Sequence, residues 1–444
     1  MKARPAILVA AGPVRIAVLA DGQIGGLQKA AAHYAVALSA GGCHVEYVSQ
    51  CAGPWNDFCT QHGLPVRLTD GSADKIYSEL CAAAPHVIHQ HVSGYDPDSP
   101  HYRALDRLNH HQAFRVIESN IFARFEDAQS DRWVDFRMFQ SMPSLIAGYR
   151  RAGRPLTRDA LAQATVLYNP VAMPAPISDH ARQAMRQELG LGEEDILAIR
   201  VGRPVDNKWA DWECRALQIA RRRNSRLRLL LMEPPARLKN HVLERRYGDG
   251  ILIHPVTCNF DWMTRLYQSA DVMLHASFFG ECFGNTIAEG MAAGLPVITR
   301  ATPYCDNGQT EQVENGATGW VCLGVPEMAR RLVDLAGDSA VRRCMGDAGR
   351  ARIESMTDIG GVAVLRAVVD NVLTGRRAPI LDVRREAILA YIADFARRQW
   401  RTSEAPGLHP LDTASGRAYA AYRTLRTQVR RSLQHVTWNA SHRS

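Results

Sequence analysis

Short apolar runs alternate with amphipathic stretches along most of this chain. In the first half, runs of four to six residues that end at polar or turn residues predict strands at Arg15–Ala20, His44–Ser49, His86–His91, Phe114–Glu118 and Thr165–Tyr168. Between the first two strands, Leu27–Ala40 has apolar residues at helical spacing, and the glycine pair that follows predicts the end of that helix. The pattern therefore predicts repeated strand–helix units.

A second alternating series follows a proline-rich crossing. The segment Asn169–Pro176 contains three prolines and predicts the connection between two domains. Beyond it, strands are predicted at Ile196–Val201, Leu227–Met232, Ile251–His254, Val272–His275, Pro296–Thr299 and Gly319–Cys322. After Val325 the apolar spacing becomes helical for the rest of the sequence.

This alternation predicts parallel sheets with helices on both faces. One hydrophobic core rarely grows beyond about 250–300 residues, so a chain of 444 residues is expected to form two domains. We predict an α/β fold with two doubly wound, Rossmann-like domains facing each other across a cleft, at residues 1–173 and 174–375. A helical C-terminal extension is predicted at residues 376–444.

The composition is that of a globular protein, with 46% hydrophobic and 22% charged residues. No apolar run approaches the roughly 20 residues that span a bilayer. The apolar start of the chain is broken by Pro13 and Arg15, which favours a leader before the first strand over a secretion signal. Ten scattered cysteines include no C-x-x-C pair. This pattern favours reduced thiols in the cytoplasm over disulfides or a zinc site.

The positive charge is concentrated in the tail. Residues 376–444 contain 13 arginines, no lysine and 5 acidic residues, a net charge of +8, which equals the net charge of the whole chain. The first 375 residues are therefore neutral in sum, which argues against a nucleic-acid groove in the body. The tail helix Leu381–Trp400 is expected to pack back on the first domain. For the last helix, near Arg417–Leu433, an anionic membrane face, a partner protein and a solvated surface all remain open.

The strongest chemical signal lies between Ser277 and Ile298. Here a predicted strand is followed by a glycine-containing loop with Glu281, by a helix that begins near Asn285, and by another strand. Amides at a helix N-terminus carry partial positive charge and suit an anion such as a diphosphate. Carboxylates such as Glu281 and Glu289 accept hydrogen bonds from paired hydroxyl groups, which ribose and hexoses offer.

The order G-E-C-F-G-N-x-x-x-E-x-M-A-x-G-x-P-V-I in this segment resembles the donor-site signature of retaining, family 4 glycosyltransferases with the GT-B fold. The resemblance implies that Glu289 holds the ribose of a nucleotide and that Glu281 holds hydroxyls of the sugar. It also implies contacts to the sugar and phosphates from the stretch Phe283, Gly284, Asn285 and Thr286.

Two further elements are similar to parts of that family. Arg203 and Lys208 follow the first strand of the second half, where the family clamps the diphosphate, although Trp209 replaces the usual glycine of this loop. Fixed cations at this point stabilise the charge that a leaving diphosphate gains. Gly25 and Gly26 resemble the first-domain glycine loop that approaches the phosphates.

The acceptor side is less defined. His91 resembles a family position that faces the acceptor, and either Glu118 or Asn120 stands where many members have a histidine. A zinc site built from His89 and His91 with His110 and His111 is a weaker alternative. The D-x-D sequence at Asp96–Asp98 has the form of a metal site, but its central proline favours a simple turn. We therefore expect no metal ion and no cofactor.

Together these features predict a hexosyltransferase-type enzyme that moves a sugar, with retention of configuration, from a UDP-sugar to the hydroxyl of a glycan, a lipid-linked molecule or a small molecule. The expected catalytic residues are Arg203, Lys208 and Glu281. A nucleotide-sugar epimerase, a phosphorylase and a non-catalytic scaffold on the same fold are the alternatives. The expected location is the cytoplasm, with peripheral contact at the inner face of the membrane through the arginine-rich tail as a further option.

Overall fold

The computed structural model describes residues 12–20, 25–108, 113–125, 128–206, 208–257, 259–302, 306–357 and 360–402. The predictions for the leader, for His110 and His111, and for the last helix near Arg417–Leu433 fall outside these residues. Within the described ranges the structure has the predicted α/β class, with two parallel sheets flanked by helices.

The first sheet consists of parallel strands from the first half of the chain. Its strands are Arg15–Ala20 (β1), His44–Ser49 (β2), Val66–Leu68 (β3), Val87–Val92 (β4), Arg115–Asn120 (β5), Phe136–Phe139 (β6) and Ala164–Val166 (β7). Their spatial order is β3-β2-β1-β4-β5-β6-β7. The helices are Gly26–Ala40 (α1), Pro54–Gln61 (α2), Ala73–Ala83 (α3), Pro100–Leu108 (α4) and Met142–Arg151 (α5), and a 3-10 turn spans Ala128–Arg132.

Two strands of this sheet, β3 and β6, were not predicted, because each is short and an arginine interrupts the few apolar residues that it has. Arg67 of β3 pairs with Glu46 on the neighbouring strand. Arg137 of β6 is buried and pairs with Glu118 at 3.3 Å and with Asp131 at 2.6 Å. Partnered charges of this kind fit into a sheet, but the local sequence pattern does not reveal the partners.

The second sheet repeats the plan. Its strands are Ile196–Arg200 (β8), Leu227–Met232 (β9), Ile251–His254 (β10), Val272–His275 (β11), Val297–Arg300 (β12) and Gly319–Cys322 (β13), in the order β10-β9-β8-β11-β12-β13. The helices are Asp179–Glu188 (α6), Trp212–Arg221 (α7), Ala236–Leu243 (α8), Phe260–Ser269 (α9), Asn285–Ala292 (α10), Gln309–Gln312 (α11), Val325–Gly337 (α12) and Ser339–Thr357 (α13). All pairings are parallel, as predicted.

Each sheet reverses its winding direction once, between β1 and β4 in the first and between β8 and β11 in the second. Loops that leave neighbouring strands at such a point diverge to opposite faces and open a crevice at the carboxyl edge. This topology places the loop at Gly25, the loop at Arg203 and the loop at Glu281 around one space between the domains.

After α13 the chain returns to the first domain. Helix α14, Gly360–Thr374, buries Val364, Leu365 and Val368 in the core beneath the first sheet. Helix α15, Pro379–Thr402, packs on β7 and α5 through Ile388. The first domain therefore includes α14, and the second ends before it rather than at the predicted residue 375. The sequence pattern of α14 shows an apolar face but does not indicate which of the two sheets this face packs against.

Direct hydrogen bonds join the two domains. The Ser141 hydroxyl donates to the carbonyl oxygen of Cys282. The buried Glu311 carboxyl accepts from the backbone N–H of Met142 at 2.8 Å and from the Tyr168 hydroxyl at 2.5 Å. Burial raises the pKa of Glu311 to about 7. These contacts fix the position of the second-domain loops against the first domain.

Candidate active site

A cleft of about 300 Å³ lies where the carboxyl edges of the two sheets face each other. It collects most of the residues that the sequence singled out for the donor site: Gly25, Gly26, Arg203, Lys208, Glu281, Phe283, Gly284, Asn285 and Thr286. These residues come from loops up to about 260 positions apart, so the cleft depends on the packing of both domains.

The N-terminus of helix α10 opens into this cleft. Gly284 precedes the helix with a φ angle of 95°, in the left-handed region that favours glycine. This conformation turns the chain from the loop directly into the first helical turn. The amides of that turn have no partner within the helix and point outward, so they can receive an anionic group.

Glu281 is held by two donors beside that helix. One carboxylate oxygen accepts from Lys208 Nζ at 2.6 Å, and the other lies 3.2 Å from His275 Nε2. Burial opposes ionisation of Glu281, but Lys208 and His275 outweigh it and hold the pKa of the carboxyl well below its usual range. Burial and the nearby Arg200 lower the pKa of His275 to about 4. Glu281 is therefore an ionised hydrogen-bond acceptor, and His275 is neutral at physiological pH.

Beneath this pair lies Arg200, a fully buried residue that organises the loop. Its guanidinium donates to His275 Nδ1 at 2.9 Å, to Glu213 at 2.9 Å and to the carbonyl oxygen of Lys208 at 2.9 Å. The first of these bonds leaves the proton of His275 on Nε2, where it donates to Glu281. Arg200 thus sets both the histidine tautomer and the position of Lys208.

Trp209, which stands where the resemblance leads one to expect glycine, anchors the loop. Its indole N–H donates to the carbonyl oxygen of Arg203 at 2.7 Å, and its ring lies under the Arg200 guanidinium at 4.4 Å. Only 3% of Trp209 is exposed. The tryptophan therefore braces the segment between Arg203 and Lys208 that a glycine would leave more flexible.

Arg203 reaches across the cleft. Its side chain approaches the position of a Cβ atom at Gly25 to within 3.7 Å, so the cation lies against the glycine loop of the first domain. The side chain is exposed, and among the described residues no carboxylate forms an ion pair with it. Arg203 consequently offers an uncompensated positive charge at the mouth of the cleft.

Glu289, one turn into α10, joins the domains at the edge of the cleft. One oxygen accepts from Lys29 Nζ of helix α1 at 2.6 Å, and the other accepts from the Tyr267 hydroxyl at 3.0 Å. Close by, the rings of Trp55 and Phe260 meet across the same boundary at 5.2 Å. The sequence did not indicate that a lysine of the first domain forms an ion pair with this carboxylate.

The glycine loop and the donor loop touch through Asn285. Its side-chain amide donates to the carbonyl oxygen of Gly26 at 3.3 Å and accepts from Asn169 at 2.9 Å. A Cβ atom at Gly26 would lie 2.3 Å from the Asn285 amide nitrogen, so any larger residue there would displace the Asn285 side chain from these bonds. Asn285 thus bridges the first domain, the crossing segment and the start of α10.

Solved structures with the same two-domain architecture cover about four fifths of this chain. HepE from Anabaena in complex with UDP and glucose matches with a TM-score of 0.63 at 16% identity, over 80% of this chain and 99% of its own. A glycosyltransferase from Rickettsia africae ESF-5 matches with a TM-score of 0.63 at 13% identity, over 82% of this chain and 100% of its own. WaaG, a glycosyltransferase involved in lipopolysaccharide biosynthesis, matches with a TM-score of 0.56 at 15% identity, over the same shares.

The chain has the GT-B fold. Residues 196–338 also match the family of glycosyl transferases group 1, and this segment carries Arg203, Lys208, Glu281 and Glu289. No curated protein matches the sequence. The fold and the family match together support a glycosyltransferase with the GT-B architecture.

On the first-domain side of the GT-B cleft, the residues that were predicted to contact the acceptor lie beneath the cleft surface. His91, Glu118 and Asn120 are fully buried. The His91 ring stacks on Tyr34 at 5.8 Å, and Glu118 accepts from Asn120 at 3.1 Å and from Arg137 at 3.3 Å. This placement gives no support to a direct acceptor contact by any of the three.

The reason is that strands β4 and β5 continue one and two residues further than predicted. The first positions beyond them are Ser93, Ile121 and Phe122, and these line the cleft together with Gln140 after β6. Sequence reasoning missed Gln140 because strand β6 itself was missed. His275 and Arg200 stand at predicted strand ends, and a search of those positions for polar residues would have found them.

The structure gives the weaker motifs ordinary roles. Asp96 accepts from the backbone N–H of Asp98 at 3.1 Å in a turn before α4, and Asp98 pairs with Arg103 at 2.8 Å. The described residues contain no cluster of three or more histidine, cysteine or acidic side chains suited to a metal ion. Within the described ranges no helix is both long and apolar enough to cross a bilayer.

Proposed function

We propose that this chain is a retaining glycosyltransferase, of the family 4 type, that transfers a hexose from UDP-sugar to an acceptor hydroxyl. The observation that carries the proposal is the placement of ionised Glu281 beside the N-terminus of α10. A sugar bound by the carboxylate then has its diphosphate directed toward the helix amides. The HepE structures that match this fold contain UDP and glucose or UDP-glucose, which supports the choice of donor.

The diphosphate is expected to lie between Arg203 and the first turn of α10. Arg203 is the cation with an uncompensated charge, and it faces Gly25 across the cleft. Charge-assisted contacts from a guanidinium and from backbone amides strengthen as the leaving group gains negative charge, so they favour the transition state over the bound substrate. Protein groups supply this stabilisation, so the transfer requires no metal ion.

Glu281 is assigned to the sugar. Its two oxygens already accept from Lys208 and His275, but a carboxylate has about four lone-pair sites, which leaves room for sugar hydroxyls. Lys208 serves this assignment in two ways, because it holds the carboxylate in place and brings a positive charge close to the diphosphate. A low carboxyl pKa suits a hydrogen-bond acceptor and would be unsuitable for a general acid.

The transfer step requires no nucleophile from the protein. The acceptor oxygen forms a bond to the anomeric carbon while the bond from that carbon to the diphosphate oxygen breaks. The departing phosphate oxygen takes the proton of the acceptor hydroxyl, and attack from the face that the diphosphate leaves retains the configuration. Every described first-domain residue that lines the cleft is uncharged, so the departing phosphate is the group available to act as the base.

Glu289 is assigned to the ribose of the nucleotide. Because its carboxylate already accepts from Lys29 and Tyr267, the ribose hydroxyls must share or displace the lysine. Donor binding would therefore change a contact between the domains as well as fill the cleft.

The test is the release of UDP from UDP-glucose, measured with and without added sugar acceptors, in buffer that contains a chelator. The anomeric configuration of the product is read by proton NMR. We expect acceptor-dependent release and a product with the configuration of the donor. An inverted product would overturn the retaining mechanism, and absence of any UDP binding by calorimetry would overturn the enzyme assignment. Interconversion of sugars without an acceptor would instead identify an epimerase.

A further inference from the structure

The backbone of Glu281 is held by a second loop, which follows β12. The Oε1 atom of Gln309 accepts a hydrogen bond from the N–H of Glu281 at 3.0 Å. The carbonyl oxygen of Glu281 accepts from the N–H of Gly308 at 2.6 Å. Two consecutive residues at the start of α11 therefore bind both main-chain groups of the residue that is assigned to the donor sugar.

Both polar atoms of the Gln309 side chain are used in this position. The residue is only 2% exposed. Its Nε2 atom donates to the carbonyl oxygen of Arg300 at 2.9 Å and to Oγ1 of Thr302 at 2.7 Å. An amide side chain accepts through its oxygen and donates through its nitrogen. Gln309 can therefore join the Glu281 backbone to the end of β12, which a side chain that only accepts or only donates could not do.

The loop after β12 also packs directly on the donor loop. The N–H of Asp306 donates to the carbonyl oxygen of Phe279 at 3.1 Å. A Cβ atom at Gly308 would lie 2.1 Å from the carbonyl oxygen of Cys282, so glycine leaves the two backbones in direct contact. The position of one loop therefore fixes the position of the other.

Helix α11 is short, and contacts from other elements keep it in place. The Glu311 carboxyl accepts from the backbone N–H of Met142 and from the Tyr168 hydroxyl. The Arg352 guanidinium of α13 donates to the carbonyl oxygen of Glu311 at 2.6 Å. Gln309 is therefore attached to a turn that is fixed against both the first domain and α13.

We propose that Gln309 is a positioning residue for sugar transfer, because it holds the Glu281 peptide in the orientation that directs the carboxylate to the donor sugar. This role rests on the proposed glycosyltransferase function. Gln309 is not one of the described residues that line the cleft, so it acts on the sugar through Glu281. Lys208 and His275 fix the carboxylate itself, whereas Gln309 fixes the backbone from which the carboxylate projects.

The experiment compares Gln309→Met with Gln312→Met, a matched control in the same helix. Methionine keeps the approximate length of the side chain and removes both the strong acceptor and the donor. Gln312 is fully buried, and neither of its amide atoms has a hydrogen-bond partner among the described residues, so its replacement removes no bond. Thr302→Val is a second variant, which removes one anchor of the Gln309 amide and the bond from Thr302 to the carbonyl oxygen of Asp306.

The measured quantities are kcat/KM for the release of UDP from UDP-glucose, with the sugar acceptors of the functional test, and the affinity for UDP by calorimetry. Gln309→Met should lower kcat/KM by at least about tenfold, because a displaced carboxylate no longer meets the sugar in the transition state. UDP has no sugar, so its affinity should change by less than about twofold. Thr302→Val should lower kcat/KM to a smaller extent, and Gln312→Met should match the wild type. Melting temperatures check that each variant is folded.

Three results would overturn the assignment. Equal losses of kcat/KM and UDP affinity in Gln309→Met would show that the residue supports the loop as a whole and not the sugar carboxylate. Unchanged kcat/KM in folded Gln309→Met, or an equal loss in Gln312→Met, would exclude a positioning role. If Gln309→Met does not fold, unchanged kcat/KM in Thr302→Val would exclude it. A wild type that neither binds UDP nor releases it from UDP-glucose would contradict the proposed function itself, which is a separate outcome.

Discussion

Replacing Lys208 by methionine tests whether the Lys208–Glu281 pair holds the donor loop. In the folded protein Glu281 titrates well below the ordinary carboxyl value of 4.5. A lowered pKa of this kind means that ionised Glu281 stabilises the fold at neutral pH, and that this stabilisation is lost as the pH falls from 4.5 through the folded value. Without Lys208 the pKa of Glu281 must rise, and part of the stabilisation is lost at neutral pH.

The size of the effect follows from the geometry. The two atoms are 2.6 Å apart, and the side chains are only 24% and 13% exposed, so solvent screens the pair weakly. Loss of a hydrogen bond between charged groups costs about 1.5–3 kcal/mol. Because His275 still donates to Glu281, we expect about 2 kcal/mol, or roughly 4–8 °C in melting temperature for a domain of this size.

The assay is thermal unfolding near neutral pH, with Lys239→Met as the control. Lys239 lies 3.8 Å from Glu233 on the surface of the same domain and is 42% exposed, so its loss should cost under about 1 kcal/mol. Glu281→Gln and the double variant complete a cycle, in which the coupling energy should be about 1.5–3 kcal/mol. Equal melting of Lys208→Met and Lys239→Met, with no coupling, would refute the reasoning.

Four further variants test contacts in the cleft and between the domains. Gly26→Ala places its Cβ atom 2.3 Å from the Asn285 amide, so it should lower the melting temperature of the free protein and lower the UDP affinity by about tenfold. Gly25→Ala meets no atom closer than 3.7 Å and should leave the melting temperature unchanged, so equal melting of both variants would contradict the importance of the Gly26–Asn285 contact. Lys29→Met frees Glu289 and should tighten UDP binding about twofold to tenfold by calorimetry, while weaker binding would show that the lysine itself contacts the ligand. Burial raises the pKa of Glu311 from 4.5 to about 7, so the wild type should lose stability, by at most about 3 kcal/mol, as the pH rises through this interval. Glu311→Gln should therefore flatten the slope of melting temperature against pH. An unchanged slope in this variant would exclude the Glu311 carboxyl as the cause of the pH dependence.

Much of the fold was predictable because its strands are buried on both faces. The strands Leu227–Met232 and Val272–His275 contain the unbroken apolar runs 229–232 and 272–274, as expected of parallel strands covered by helices, and the structure has both strands at the predicted bounds. The strands that escaped prediction contain Arg67 and Arg137. Each arginine pairs with a glutamate on the neighbouring strand, Glu46 or Glu118, which lies 21 or 19 positions away in the sequence, so the local pattern does not show that the charge is compensated.

The donor half of the candidate site was predictable for a related reason. Glu281, Gly284 and Asn285 lie within one strand–loop–helix unit, whose local geometry follows from a glycine before a helix. The first-domain wall was not predictable to the residue, because the end of a strand shifts by one or two positions with its neighbours' pairing. That shift moved the cleft surface from His91 and Glu118 to other residues.

By itself, the sequence determined that the chain forms two doubly wound sheets and where the donor loop lies, since periodicity and glycine placement act over a few residues. Only the tertiary structure decided which side chains meet across the cleft. Lys29 reaches Glu289 over 260 positions, and Asn169 reaches Asn285 over 116. Such contacts depend on the relative placement of two domains, which is set by packing over the whole interface and leaves no local pattern in the chain.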